Sequence, residues 1–167
     1  MRHAKSAWPD GPDHERPLAS RGRRDAPAAG RWLRRTGHLP DLVVCSTARR
    51  TTETWQLAAA EMGASPSVQF EPRVYEANTI QLLDLVQESP ATVGTLLVVG
   101  HEPTMSQLTL LLARDIATDG AAGPRDRVRL KFPTAAIAVL SFTGGWPDLG
   151  PGGAELADFV TPDDYGA

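Results

Sequence analysis

Thr95-Leu96-Leu97-Val98-Val99-Gly100-His101-Glu102-Pro103 is a short apolar run that stops at a glycine, a histidine and a proline. The run reads as a buried strand of a parallel sheet. Pro103 is well placed in the first turn of a following helix, expected to run through Leu112 with Met105, Leu108 and Leu111 packed into the core. The same order occurs earlier, where Asp41-Leu42-Val43-Val44-Cys45 leads into Ser46-Thr47-Ala48-Arg49-Arg50-Thr51-Thr52-Glu53-Thr54. The chain itself opens Met1-Arg2-His3-Ala4-Lys5-Ser6. An Arg-His pair is weak evidence alone, since most such pairs are surface residues. In an open α/β sheet, however, ligands bind outside the carboxyl ends of the strands. Three such ends delivering His, Arg and His build one anion pocket.

The remaining segments fit an α/β order. Trp8-Pro9-Asp10-Gly11-Pro12-Asp13 is dense in turn formers, and reads either as the rim of that pocket or as a plain surface connection. Ser20 is a candidate cap for a helix from about Arg21; Pro27 is expected to interrupt it, with Asp25 recapping a second piece to about Arg35, ahead of Gly37. Ala29, Trp32 and Leu33 share its core face. The arginines at 21, 23, 24, 31, 34 and 35 read as a solvated face in preference to a docking surface. The helix after Ser46 is expected to reach Met62 and stop at Gly63. A short strand follows at Ser67–Phe70, then a helix over 79–88 with Ile80, Leu83 and Val86 on one face. Residues 115–126 read as a loop. Ala135–Phe142 is a strand, with 154–160 its antiparallel partner across a turn-rich connection. The domain spans 1–161, and 162–167 read as a loose tail.

The 167 residues suffice for one domain with a single sizeable core, and 41% apolar and 22% charged residues are ordinary for a globular chain. A formal net charge of -3 lacks the basic footprint of a nucleic-acid binder but leaves room for a local cationic pocket. The one cysteine, Cys45, has no internal disulfide partner and reads as a buried small side chain in preference to a reactive thiol. No stretch approaches the roughly 18 apolar residues of a membrane span, and the start lacks the apolar core of a signal peptide. A cytoplasmic monomer is the expectation. The four histidines (3, 14, 38 and 101) have neither i,i+4 spacing nor a ligand cluster, so no metal and no cofactor are expected, His14 between Asp13 and Glu15 included.

Arg2-His3-Ala4-Lys5-Ser6, Arg16-Pro17-Leu18, Ser20-Arg21-Gly22, Ser46 to Thr54 and Val98 to Pro103 together resemble the histidine phosphatase superfamily, in that family's order. The opening motif is similar to that of the small SixA-type phosphohistidine phosphatases. The resemblance implies a three-layer α/β/α fold with a mostly parallel central sheet, phosphoglycerate mutase-like. It implies His3 as a nucleophile carrying a transient phosphoryl group, with Arg2, Arg50 and His101 holding the phosphoryl oxygens. In the family the arginine follows a serine by four positions and precedes a threonine by four. Ser46, Arg50 and Thr54 fit that spacing and Arg49 does not.

These residue types suit the chemistry. Phosphoryl transfer asks mainly for positioning and for positive charge around three oxygens, and arginine supplies a permanently charged planar fork. A neutral imidazole is a competent nucleophile near neutral pH, and cationic side chains can stabilise charge without a metal. Glu76 is the candidate general acid, although SixA-type members can lack an effective one. Glu102 is a second candidate, read by preference as complementing the positive end of the following helix. A P–N bond to imidazole needs less acid help than a P–O bond.

The expected activity is hydrolysis of phosphohistidine on a protein or of a small phosphoramidate. The alternatives are a small-molecule phosphomonoesterase, less so a mutase, or a non-catalytic binder of phosphorylated ligands. The resemblance adds one further expectation. Only Met1 precedes Arg2-His3, where the family has a whole central strand, so that strand reads as truncated, with the natural product beginning upstream.

Overall fold

Residues 1–115 and 123–166 are described in a computed structural model of the chain. Ser20–Thr36 forms one continuous helix, α1, ending at Gly37 in the left-handed conformation (φ 75°). Pro27 lies inside it and does not divide it. A proline removes one backbone donor and crowds the preceding turn; here packing outweighs that penalty. Ala26, Ala29, Trp32 and Leu33 are all buried, and Gly30 brings the helix so close to its neighbour that a β-carbon there would overlap the Ala58 carbonyl.

Leu42–Cys45 (β1) is buried at all four positions and leads into Arg49–Met62 (α2), which stops at Gly63 with φ 71°. Ser67–Phe70 (β2) is an exposed edge strand. Arg73–Glu76 (α3) and Thr79–Gln87 (α4) follow. Leu96–Val99 (β3) leads into Thr104–Leu112 (α5). β1 pairs in parallel with β2 on one side and β3 on the other, Val44 lying opposite both Gln69 and Val98. Pro124–Leu130 is a helix, α6, where the sequence read as a loop to residue 126; residues 116–122 of that loop lie outside the described ones. Ile137–Ser141 (β4) and Glu155–Val160 (β5) pair antiparallel.

Helices cover both faces of this sheet, giving the expected three-layer α/β/α, phosphoglycerate mutase-like architecture. Trp32, Leu33, Trp55 and Met62 pack with Val43 and Val99 on one face; Leu82, Val86, Met105 and Leu108 pack with Leu42 and Val44 on the other. On α4 the buried set is Leu82, Leu83, Leu85 and Val86, so Leu83 and Val86 face inward as the spacing predicts, while Ile80 is 58% exposed. Asn78 caps that helix, accepting from the backbone N–H groups of Ile80 and Gln81 at 3.0 Å each.

The expected loose tail is instead anchored as far as Tyr165. Tyr165 is buried, its hydroxyl donates to the Ala135 carbonyl, and Arg35 reaches its backbone carbonyl at 3.3 Å. Residue 167 lies outside the described ones. No helix among the described residues is long and apolar enough to cross a membrane.

Met1–His3 join the parallel strands to the antiparallel pair. The His3 N–H donates to Gly100 at 3.0 Å and the Gly100 N–H to Met1 at 3.1 Å; on the other side Arg2 donates to Ala136 and Ala135 to His3, each at 3.0 Å. These three residues therefore sit between the end of β3 and the residues leading into β4. Beyond Met1, a groove of about 410 Å³ lies between β3 and β4, lined by Val98, Met105, Leu108, Leu140 and Phe142. The Met1 ammonium donates to the Val98 carbonyl at 2.9 Å at its inner end, and burial lowers its pKa to about 5.

Candidate active site

Three strand ends converge at the edge of the sheet opposite that groove. His3 follows the Met1–Arg2 segment, Ser46 follows β1 and His101 follows β3. The rings of His3 and His101 are 5.3 Å apart, centre to centre. His3 is buried, and its Nδ1 lies 2.8 Å from the Ala4 carbonyl oxygen. A carbonyl only accepts, so Nδ1 carries the proton and the Nε2 lone pair is left free. Burial, then the positive charges of Arg50, Arg2 and Arg16, push the His3 pKa down to about 4. The ring is therefore neutral at pH 7.

His101 Nε2 shares a 2.7 Å hydrogen bond with Ser46 Oγ. Burial, followed by repulsion from His3 and Arg50, lowers its pKa to about 3. His101 Nδ1 and Arg2 Nε are buried with no hydrogen-bond partner among the described residues, whereas buried polar atoms are nearly always paired. Both belong to neighbours of His3, one in space and one in sequence. Arg2 Nη1 donates to the Phe132 carbonyl at 2.8 Å, and burial lowers the guanidinium's pKa.

The spacing of Ser46, Arg50 and Thr54 has a physical basis in the first turns of α2. The Thr51 hydroxyl donates to the Ser46 carbonyl at 2.8 Å and pins the turn that aims Ser46 at His101. Thr54 Oγ1 accepts the Ala4 N–H at 2.9 Å and donates to the Arg50 carbonyl at 2.6 Å. Arg50 points inward with its side chain 8% exposed, while Arg49 is 50% exposed and pairs with Glu53 on the surface.

Among the described residues, Glu76 makes no hydrogen bond or ion pair with His3, His101 or Arg50. It ends α3 with its side chain exposed, and its neighbour Tyr75 is the residue that reaches the site, its ring 5.4 Å from that of His101 and edge-on to it. Glu102 accepts from the Ser106 N–H at 2.9 Å and from its hydroxyl at 2.7 Å, and so caps the first turn of α5. Cys45, adjacent to Ser46, is buried, and burial raises its thiol pKa to about 12. An inert packing role follows.

Sequence reasoning placed Asp13 in a candidate pocket rim and Arg16 in a family motif, but gave no individual role to Asp13, Arg16 or Tyr75. Arg16 is buried and fastens the loop before it, donating to Ala7 at 3.0 Å, Ser6 at 2.7 Å and Asp13 at 2.8 Å. The exposed Trp8 ring stacks 3.2 Å from its guanidinium. Asp13 and Arg16 stand three apart across a short 3-10 turn, the one signal in the sequence that pairs them.

A mostly parallel sheet with two histidines and an inward arginine at its strand ends is an arrangement that comparison with known proteins makes specific. The profile of the histidine phosphatase superfamily (branch 1) matches residues 1–91, a span that includes His3 and Arg50. An uncharacterised protein of Mycobacterium tuberculosis (strain H37Rv) is 45% identical over 163 residues, covering 97% of this chain and 99% of its own length. The chain belongs to the histidine phosphatase superfamily. A structure from Nakamurella multipartitia, provisionally assigned as the phosphohistidine phosphatase SixA, superposes with a TM-score of 0.81 at 41% identity, over 97% of this chain and 93% of that one. The protein histidine phosphatase SixA complexed with tungstate shares the fold, with a TM-score of 0.73 at 21% identity over 98% and 96% of the two chains.

Proposed function

We propose that this protein is a phosphatase that takes a phosphoryl group onto His3 Nε2, and that its substrate is phosphohistidine on a protein or a small phosphoramidate. The observation that carries this reading is the fixed tautomer of His3. Its Nδ1–H is tied to Ala4, so the free lone pair sits on the ring nitrogen away from its own backbone, between cationic side chains.

The lone pair of Nε2 attacks phosphorus, and the bond from phosphorus to the substrate nitrogen breaks with its electron pair going to the departing imidazole. A substrate ring already protonated on its other nitrogen leaves as neutral imidazole, so no acid from the protein is required. This agrees with the exposed position of Glu76. Arg2 and Arg50 offset the charge on the phosphoryl oxygens. A bound phosphoryl dianion also favours protonation of His101, which then donates to an oxygen. Phospho-His3 keeps its Nδ1 proton, so water displaces a neutral imidazole, releasing phosphate and restoring the starting state. A reducing cytoplasmic setting suits the free Cys45 thiol.

The test is a comparison of phosphohistidine with sugar phosphates under identical conditions. Phosphohistidine is expected to turn over much faster. Preference for a sugar phosphate would assign a phosphomonoesterase instead, and binding without phosphate release from either would assign a binder.

A further inference from the structure

Arg50 does not present its guanidinium unopposed. Its Nη1 donates to the backbone carbonyl of Asp13 at 2.8 Å and its Nη2 to Asp13 Oδ2 at 3.1 Å. The same carboxylate accepts from the Tyr75 hydroxyl at 2.6 Å and from Arg16 Nη1 at 2.8 Å. Those bonds and the Arg50 charge hold the Asp13 carboxyl well below the usual carboxylate range, so it is an anion at any working pH. A negative charge thus lies against an arginine that the proposed mechanism uses to hold phosphate, on a loop that Arg16 fastens in place.

We propose that Asp13 is a positioning residue that also sets phosphate affinity: it orients Arg50 by two bonds while its charge offsets part of the arginine's, so that product phosphate is held loosely enough to leave. This rests on the reading of His3, Arg2 and Arg50 as the phosphoryl site. A site lined only by cations binds the free phosphate dianion as readily as the transferring group, and uniform binding of that kind slows turnover without helping the chemical step. A fixed carboxylate weakens the hold on the dianion while the Arg50 geometry is kept. The segregation of contacts fits this division. Asp13's backbone carbonyl carries one Arg50 bond without adding a formal charge, and its half-exposed carboxylate carries the other. A carboxylate placed only to tether the loop already has Arg16 for that purpose.

Asp13→Asn keeps a carbonyl oxygen for Arg50 and Tyr75, gives up the bond from Arg16, which keeps Ala7 and Ser6, and removes the charge. The measurement is direct binding of inorganic phosphate by calorimetry to the parent and the variant, at low and high salt, together with steady-state kinetics. The variant is expected to bind phosphate roughly 10-fold tighter at low salt, with the gain shrinking as salt screens it. Its kcat and KM should fall together as release slows. If the Asn variant does not melt cooperatively, Asp13→Ser removes the same charge and carries the same expectation. Phosphate binding that is unchanged or weaker in the neutral variant would overturn the inference and leave a loop tether. Parent phosphate binding that Arg50→Ala leaves intact would overturn the site reading itself, and this inference with it.

Discussion

The hydroxyl of Thr54 accepts the backbone N–H of Ala4 at 2.9 Å, tying the second turn of α2 to the residue after the His3 ring. The same hydroxyl donates to the Arg50 carbonyl at 2.6 Å, so one buried side chain ties both the segment of His3, the proposed nucleophile, and the helix of Arg50. Thr54→Val is nearly isosteric and strands a buried N–H, at a cost of about 1–3 kcal/mol. Loss of aim at His3 should lower turnover roughly 10- to 100-fold. Thr54→Ser should restore most of both. Urea midpoints and phosphate-release rates check this, and a Val variant with parental values for both would contradict it.

Arg50→Ala is expected to reduce turnover by about 10²–10³-fold, the usual effect of removing a donor to a developing oxyanion. Arg49→Ala should change it little, because Arg49 pairs with Glu53 on the surface. Equal losses in the two variants would show that the inward arginine is not the one that works.

Acid should destabilise the protein before its carboxylates titrate. Burial holds His3 near pKa 4 and His101 near 3, against about 6.5 in the unfolded chain. Between those values the unfolded state binds more protons than the folded one. Stability is therefore complete above about pH 6.5 and falls as the pH drops toward 4. The urea midpoint should drop from pH 7.5 to pH 5, and drop less in His3→Asn. A parent midpoint that holds steady across that interval would contradict the burial of these two rings as neutral groups.

Gly30→Ala should destabilise the fold by about 1–3 kcal/mol through overpacking against α2, with the catalytic rate per folded molecule little changed. The added β-carbon has no room beside the Ala58 backbone. A urea midpoint equal to the parent's would show that α1 and α2 can part without penalty.

The two inner parallel strands were legible because a buried strand is an unbroken apolar run, as in Leu42–Cys45 and Leu96–Val99, and each ends at a chemical residue. The meeting of His3, Ser46 and His101 in the candidate site was legible for the same reason, since all three sit at strand ends. Local rules failed where tertiary packing outweighed them. Pro27 reads as a break, yet the Gly30 contact and the buried Trp32 carry α1 through it. Ile80 reads as core, yet α4 turns Leu82 and Leu85 inward with their neighbours. Tyr165 lies in a polar tail whose pattern gives no hint of the Ala135 carbonyl that receives its hydroxyl. Asp13 and Tyr75 meet over Arg50 from segments sixty-two positions apart, a meeting that no periodicity encodes.

The central claim is that the phosphoryl group passes through His3. The most direct measurement mixes enzyme with phosphohistidine, quenches in alkali, where a phosphoryl group on imidazole persists, and maps the modified residue by mass spectrometry. The account predicts phosphate on His3 during turnover, and neither label nor turnover in a folded His3→Ala variant. Undiminished turnover in His3→Ala, or a label found on His101 and not on His3, would contradict it.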